Sequence, residues 1–416
     1  MAARGSVAML DDIRVLEISS PETMLAGSNL AALGADVIVI EPPSGAAGRR
    51  LEPFLDDLPG IERSLTWQAM NRNKRAITLD LASIDGQQLF AQLADKCDVA
   101  IDSVDSRKGA APLDGFALPE KMVRTRISAF ASNGPKSGYA ASDLVVMAAS
   151  GAPGVSGDRD RPPAFFSVPQ AMMEAGADAA IAALAGLLAR DREGRGQNAH
   201  VSARIAAMIS AMSQMLGPGA GNAELGRTGG SISFAGVEIP SIYECADGFV
   251  LVSVAFGPVF GQMTNRLAQW AAEEKHLAAE LGEVAWTTFI GDLQQKKRTP
   301  ADLQALIDGI KALARSKSKY EFGAAARRLG LLASPVMTMR DVAESPQYRE
   351  RGLFTKIEIA PGRKIDVPAR FVQISNFQIE SKRPAPTLSQ HTVELLESEL
   401  NLSRLEIQAL FAHRVV

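Results

Sequence analysis

The chain has 416 residues and a formal charge of −3, long enough for about two domains of ~100–200 residues each. Hydrophobic residues make up 46% and charged residues 22%, which is a globular balance and excludes a largely disordered chain. The near-neutral, slightly acidic total argues against a general nucleic-acid-binding surface, so an anionic ligand would need a local basic pocket.

The opening stretch, MAARGSVAMLDDIRVLEIS, carries two Arg and no apolar run of signal-peptide length. Ile13–Ile18 is a β-rich run, Glu22–Leu33 reads as a helix stopped by Gly34, and Asp36–Ile40 as a second buried strand ended by Glu41-Pro42-Pro43. Strand, helix and strand form a βαβ unit, which implies a parallel sheet covered by helices. Ala76–Leu81, Val99–Ile101 and Val123–Phe130 supply further strands, with a helix over Gly86–Lys96. The N-terminal half is therefore an α/β doubly wound domain.

Met172–Arg190 is Ala-rich at helical spacing. Its apolar part, Ala175–Leu188, is short and broken by Asp178, so it reads as a buried helix; nowhere do about 18 apolar residues follow one another. A helix over Val201–Leu216 follows, then Gly217–Gly230, whose six glycines read as a linker or mobile loop. Tyr243–Gly248 reads as a hairpin turn and Phe249–Val254 as a strand, with helices over roughly 258–330. Leu331–Met339 and Asp341–Glu344 give a strand and a helix. Phe354–Ile359 and Lys364–Val367 read as paired strands, and Leu395–Leu410 as a closing amphipathic helix. This divides the chain into a large domain over 10–205, a Gly-rich linker over 206–238 and a small domain over 239–330. Residues 331–416 then form a second linker and rejoin the large domain.

The residues offer chemistry sparingly. Cys97 and Cys245 are the two cysteines, far apart; they form no disulfide framework or metal motif and fit a reducing compartment. Together with the lack of targeting and spanning segments, this leads to the expectation of a soluble, cytoplasmic protein. The first βα turn, Ser19-Ser20-Pro21-Glu22-Thr23, lacks the G-x-G-x-x-G that admits a pyrophosphate, so Glu41 at the end of strand two reads as a loop residue rather than a ribose ligand. The four histidines, His200, His276, His391 and His413, show no metal-ligand spacing, and no G-x-S-x-G elbow occurs. Met70–Arg75 packs three cations into six residues. Charge pattern alone makes this a solvated turn; the functional alternative is capture of phosphates by Arg forks and a Lys point charge. Arg49-Arg50 and Lys136 are similar, smaller signals.

Read together, stretches over nearly the whole chain resemble the family III CoA-transferases, the CaiB/BaiF group that includes formyl-CoA transferase. They are Leu33–Pro43 (LGADVIVIEPP), Asn71–Leu81 (NRNKRAITLDL), Ile127–Phe130, Asn133-Gly134-Pro135, Asp143-Leu144, Ser150-Gly151 and Arg192–Gln197 (REGRGQ). Tyr243, Asp247-Gly248, Pro335-Val336, Arg351-Gly352, Ala385–Leu388 and His391 continue the ordered set. The resemblance implies a Rossmann-like large domain built from both ends of the chain, a smaller α+β domain, and two ring-like subunits interlocked as a dimer. It implies coenzyme A or an acyl-CoA as substrate or ligand, with no tightly bound cofactor and no metal, and a carboxylic acid as second substrate. It puts CoA binding on Asn71, Arg72, Asn73, Lys74 and Arg75 and on Asn133, Gly134 and Lys136.

The family reaction needs a carboxylate nucleophile, an Asp four residues before a Gly on the helix leading to R-x-G-R-G-Q. Counting back from Gly176 puts Met172 at that position, and a thioether cannot form the acyl anhydride. Glu174 is the nearest carboxylate, about 200° round the helix from Met172; Asp178 reads as structural. The racemase relatives pair the Asp with a His where this chain has Ser142. Two further motifs depart from the family: its CoA-binding turn is here Asp102–Arg107, and its A-G-P near the first helix is Glu22-Thr23-Met24. Three readings stay open: an acyl-CoA-processing enzyme, a non-catalytic subunit paired with an Asp-bearing homologue in place of a homodimer, and a CoA-ester binding protein without turnover. Nucleic-acid and membrane partners are not expected.

Overall fold

The structure is a computed structural model that describes residues 9–104, 110–221 and 226–416. Part of the turn Asp102–Arg107 and part of the Gly217–Gly230 run therefore lie outside the described residues. The chain divides into two compact units. One takes the described residues of Met1–Gly154, Phe165–Leu225 and Pro346–Val416; the other takes Val155–Ala164 and those of Gly226–Ser345.

The first unit is built on a six-stranded sheet whose neighbouring pairs are all parallel. Its strands are β1 (Arg14–Ile18), β2 (Asp36–Glu41), β3 (Arg75–Thr78), β4 (Val99–Ser103), β5 (Val123–Ser128) and β6 (Asn198–Ser202). The order is β3-β2-β1-β4-β5-β6, the doubly wound arrangement with its crossover point between β1 and β4. Helices α1 (Met24–Ala32), α2 (Leu65–Met70), α3 (Ile84–Ala94), α4 (Asp143–Ser150), α5 (Gln170–Glu193), α6 (Ala203–Ile209) and α7 (Met212–Gly219) belong to the same unit.

Alternation within the strands feeds two cores, as a sheet covered on both faces requires. Val15, Val37, Val99, Ile101, Val123 and Ile127 face one side, against α1, α5 and α6. Leu16, Ile38, Ile40, Ile77 and Ala100 face the other, against α3 and the C-terminal helices Thr392–Ser398 and Arg404–Ala412. The carboxyl-terminal residues thus complete a domain begun at the other end of the chain.

α5 lies close to the sheet because its contact stripe is small: Ala171, Ala175, Ala179 and Ala183 recur every fourth position and are fully buried. A Cβ at Gly186 would meet Val123 Cγ1 at 2.5 Å. α5 has the length and hydropathy of a membrane span, 1.5 on average over an 18-residue window, but this packing makes it a core helix of the unit. It ends at Gly194, whose φ of 73° suits a residue without a Cβ.

The second unit pairs Ser231–Phe234 with Val237–Pro240, and sets Gly248–Val252 between Ile242–Cys245 and Ala333–Pro335 in an antiparallel sheet. Gly261–Glu273, Pro300–Arg315 and Lys319–Leu329 are its longer helices, and Trp270, Trp286, Phe289 and Phe322 fill its core. In the first unit, Phe354–Ala360 and Arg363–Pro368 form an antiparallel hairpin.

Two expected helices are corrected. Val201 and Ser202 close the strand β6, paired with Ile127 and Ser128, and the rest of Val201–Leu216 is two helices broken at Ser210 and Ala211. The edge of β5 offered hydrogen bonds that helical periodicity cannot reveal. Leu395–Leu410 is likewise two helices. The second starts at a capping box in which Ser403 and Glu406 satisfy each other's backbone N–H groups, a signal present in the sequence as S-x-x-E.

Beneath α1 lies a fully buried ion pair. Lys74 Nζ meets Glu17 Oε2 at 2.7 Å, both side chains 0% exposed, and also donates to Met24 O at 3.0 Å and Asn71 Oδ1 at 2.9 Å. Gly27 is the residue that makes room: a Cβ there would lie 1.8 Å from Glu17 Oε2. Removing one partner of such a pair strands the other charge, a loss of about 3–5 kcal/mol. Lys74→Met is therefore expected to lower the stability of the first unit by that amount, read as a fall in urea midpoint at unchanged slope.

Candidate functional site

In open α/β sheets ligands bind outside the carboxyl ends of the strands, at the point where strand order reverses. Here that crevice lies between the ends of β1 and β4. Ser19 and Ser20 follow β1, Glu22 precedes α1, and Ser103 ends β4. Ser103 Oγ donates to Ser20 Oγ at 2.8 Å and lies 3.5 Å from Glu22 Oε2. Ser19 Oγ is buried and finds no hydrogen-bond partner among the described residues.

α5 brings its first turns to this edge. A Cβ at Gly176 would lie 3.3 Å from Glu22 O and 3.0 Å from Leu25 Cβ. Met172, one turn earlier on the same face, packs in part against the core beneath α5, and its N–H donates to Asp143 Oδ1 at 2.9 Å. Asp143 opens α4, so one carboxylate ties two helix starts together. A cavity of about 200 Å³ lies in front of α5, lined by Asp143, Leu144, Phe165, Phe166 and Gln170. Glu174 Oε2 is buried and has no hydrogen-bond partner among the described residues, and burial, with the nearby charges of Asp143 and Asp178, pushes its carboxyl above the usual range.

The run Asn71–Arg75 is placed differently from a solvated turn. Asn71 and Lys74 are fully buried around Glu17. Arg72 donates to Ala69 O at 2.9 Å and Pro368 O at 2.6 Å; it has no carboxylate partner among the described residues. Asn73, at φ 65°, accepts from the N–H groups of Lys382 and Arg383 and donates to Glu380 O. Arg75 starts β3 and binds Asp36 and Glu399, at the amino edge of the sheet. Burial alone would raise the Asp36 carboxyl, but Arg75 and Arg14 outweigh it and hold it below the usual range. Asn133, Gly134 and Lys136 sit apart from this run, in the turn after β5 at the carboxyl edge. Gly134 has φ 94°, and the Lys136 ammonium is 5.9 Å from the Phe130 ring centre, without a carboxylate partner among the described residues.

Size alone does not choose the site. A larger cavity, of about 590 Å³, opens at the amino edge beside Asp36, Arg75 and His391. His391 Nδ1 accepts the Ala76 N–H there at 3.2 Å, a structural bond. Glu41 grips Arg49 with both oxygens, at 2.7 and 2.8 Å, so it is unavailable to a ribose. No cluster of three His, Cys, Asp or Glu side chains able to hold a metal occurs among the described residues.

Sequence reasoning passed over Glu22 and Ser103 as ligands' neighbours. Their signal was positional: Ser103 ends the buried strand β4, and Glu22 lies in the turn that joins β1 to α1.

The fold and crevice define a doubly wound α/β protein of the kind that binds a ligand at the carboxyl edge of its sheet. Its lineage is specific: the model of CoA-transferase family III matches residues 10–392, and the chain belongs to that family, which acts on acyl-CoA thioesters and carboxylic acids. It is 27% identical over 401 residues to the succinyl-CoA:(R)-benzylsuccinate CoA-transferase subunit BbsE of Thauera aromatica, covering 92% of both chains. It is 27% identical to the succinate–glutarate CoA-transferase of Agrobacterium fabrum, over 93% of this chain and 94% of that one. A crystal structure of a CAIB/BAIF family protein from Brucella suis superposes with a TM-score of 0.74 at 22% identity, covering 94% of this chain and 98% of that one.

The Glu174 environment sets a pH signature. A carboxyl raised in the folded state costs stability above its folded pKa and nothing once pH falls below its unfolded value. Glu174→Gln mimics the neutral acid. It is expected to raise the melting temperature near about pH 8, with the gain fading toward about pH 4, as scanning calorimetry across that range would record.

Proposed function

We propose that the chain binds an acyl-CoA in the crevice between β1 and β4 and moves CoA between carboxylic acids there. The observation that carries the reading is the family match over residues 10–392, on a fold whose strand order leaves a ligand crevice beside the first turns of α5. Succinyl-CoA is the donor to try first, because both relatives named above are described with succinate or its thioester.

CoA phosphates in this reading meet Lys136 and Arg72, the two cations of the predicted set without carboxylate partners among the described residues. Asn133 and Gly134 shape the turn that carries Lys136. Asn71, Asn73, Lys74 and Arg75 support the site from within, by holding β1, β2 and the 380–383 segment in place. Lys136→Ala and Arg72→Ala are each expected to weaken CoA binding by about 1.5–3 kcal/mol per lost charged hydrogen bond. Calorimetric titration checks this; unchanged affinity in both variants would move the phosphate site elsewhere.

Position 172 supplies no nucleophile, because a thioether has no ionisable oxygen. Glu174, held toward its neutral acid, is better suited to give a proton than to attack. The native protein incubated with succinyl-CoA is therefore expected to yield no hydroxylamine-trappable adduct at residue 172, whereas Met172→Asp yields one, located by mass spectrometry. An adduct at residue 174 in the native protein would make Glu174 the nucleophile.

A second reading is a subunit that works beside an Asp-bearing homologue. The Thauera aromatica relative is itself described as a subunit. The helices α4 to α7 also leave Leu144, Val145, Ile181, Leu188, Ile209 and Leu216 exposed, from 46% to 65%. Apolar surface of this extent marks an interface, and it fits an interlocked homodimer or a heteromer. Light scattering at micromolar concentration is expected to find a dimer; a stable folded monomer would argue against both assemblies.

A further inference from the structure

We propose that the cavity in front of α5 is an acyl pocket that prefers a compact, uncharged acyl group, aromatic or branched, to the acyl group of a dicarboxylic acid. This rests on the acyl-CoA reading above and narrows it to a substrate class. It departs from the succinate, glutarate and benzylsuccinate by which the two relatives are described, all of them dicarboxylic acids.

The first ground is place. The cavity lies between the first turn of α4 and the residues that run into α5. Asp143, one of its lining residues, accepts the Met172 N–H at 2.9 Å. Gln170 lines it from α5 itself, two residues before Met172. A thioester presented to this turn of α5 therefore has its acyl group beside the cavity.

The second ground is the wall. Leu144, Met147, Phe165, Phe166 and Val168 supply its apolar part. Met147 is buried, whereas the other four are exposed. Four large apolar side chains left in water around one hollow gain by taking up an apolar group. The volume, about 200 Å³, sets the size of that group. An apolar cavity of about 150 Å³ accepts benzene, so a phenyl ring or a branched chain of similar bulk fits and a long fatty chain does not.

The third ground is charge. Among the described residues no Lys or Arg lines the cavity, and its one charged lining residue is the carboxylate Asp143. The nearby Glu174 carboxyl is raised by burial first and then by the charges of Asp143 and Asp178, which marks the field here as negative. The free carboxylate of a succinyl or glutaryl group would enter this field, against an apolar wall, with no cation to meet it. Succinyl-CoA then serves as a donor held less tightly than the thioester the pocket fits.

The test is calorimetric titration of the full-length protein, without an acceptor acid, with phenylpropionyl-CoA and with glutaryl-CoA. The two thioesters carry a phenyl ring or a carboxylate at similar reach. Phenylpropionyl-CoA is expected to bind at least about tenfold tighter, the gain from burying one apolar group of side-chain size. For variants the readout is the ratio of the two affinities, so that a general loss of binding cancels. Phe166→Ala is expected to cut the ratio several-fold. Leu144→Lys, which supplies the missing cation, is expected to lower it by strengthening glutaryl-CoA binding. Both residues are exposed, and the melting temperature of each variant confirms that it folds. A native ratio of one or below overturns the pocket's preference and leaves the acyl-CoA reading intact. A native preference that both variants leave unchanged places the acyl group elsewhere and overturns the assignment too. If Phe166→Ala then changes the oligomeric state in light scattering, these apolar residues belong to an interface between copies. Binding of neither thioester overturns the acyl-CoA reading along with this one.

Discussion

The buried contact between Lys74 and Glu17 is the constraint around which the first unit is organised. Glu17 sits inside β1 between Leu16 and Ile18 and is paired with Val39 and Ile101, and it is tolerable there because an ammonium is delivered to it. The loop before β3 makes that delivery, with Asn71 holding the other side of the ammonium. Isolated in an apolar interior, either charge would cost several kcal/mol. The pair therefore fixes three things together: the path of residues 71–74, the position of α1 above them, and a glycine at 27. From Glu17 a hydroxyl chain runs outward through Thr23 and Ser20 to Ser103. The buried ion pair and the turn after β1 are thus parts of one hydrogen-bond network.

A second buried cation repeats the device at the edge of the sheet. Arg49, fully buried, is held by Glu41 and Glu62, stacks 4.0 Å over Trp67, and donates to Pro386 O at 3.1 Å. Trp67 Nε1 reaches the same carbonyl at 3.1 Å. The guanidinium fork suits this task because it satisfies two carboxylates and a carbonyl in one plane. It is how the segment containing Ala385-Pro386 is fastened to strands laid down more than three hundred residues earlier. Basic residues that look like ligand-binding groups in the sequence thus serve mainly to join distant parts of the chain.

Close packing does the same for α5. Its alanines and glycines let the backbone approach β5 and α1, which brings residues 172–176 to the Ser20–Ser103 edge. A leucine-rich helix would stand off by a side-chain layer and leave that edge open to water. The exposed apolar residues on α4 to α7 are the other side of the same design: small residues face inward and large ones outward.

The sequence alone carried the parallel sheet, because continuous aliphatic runs such as DVIVI have few other homes. It carried the 354–368 hairpin and the turn at Tyr243–Gly248, the Ala-rich core helix and the family as well, through short motifs kept in order, but not the Ser231–Pro240 hairpin, which falls in the expected Gly-rich linker. It could not reveal that Lys74 and Arg75 are occupied by carboxylates 57 and 39 residues away, nor that β6 pairs with β5, nor that Leu395–Leu410 breaks in two. Periodicity and motif spacing report what neighbours along the chain prefer. Whether a charge is free to bind a ligand depends on which opposite charge the fold brings to it, and only the tertiary structure decides that.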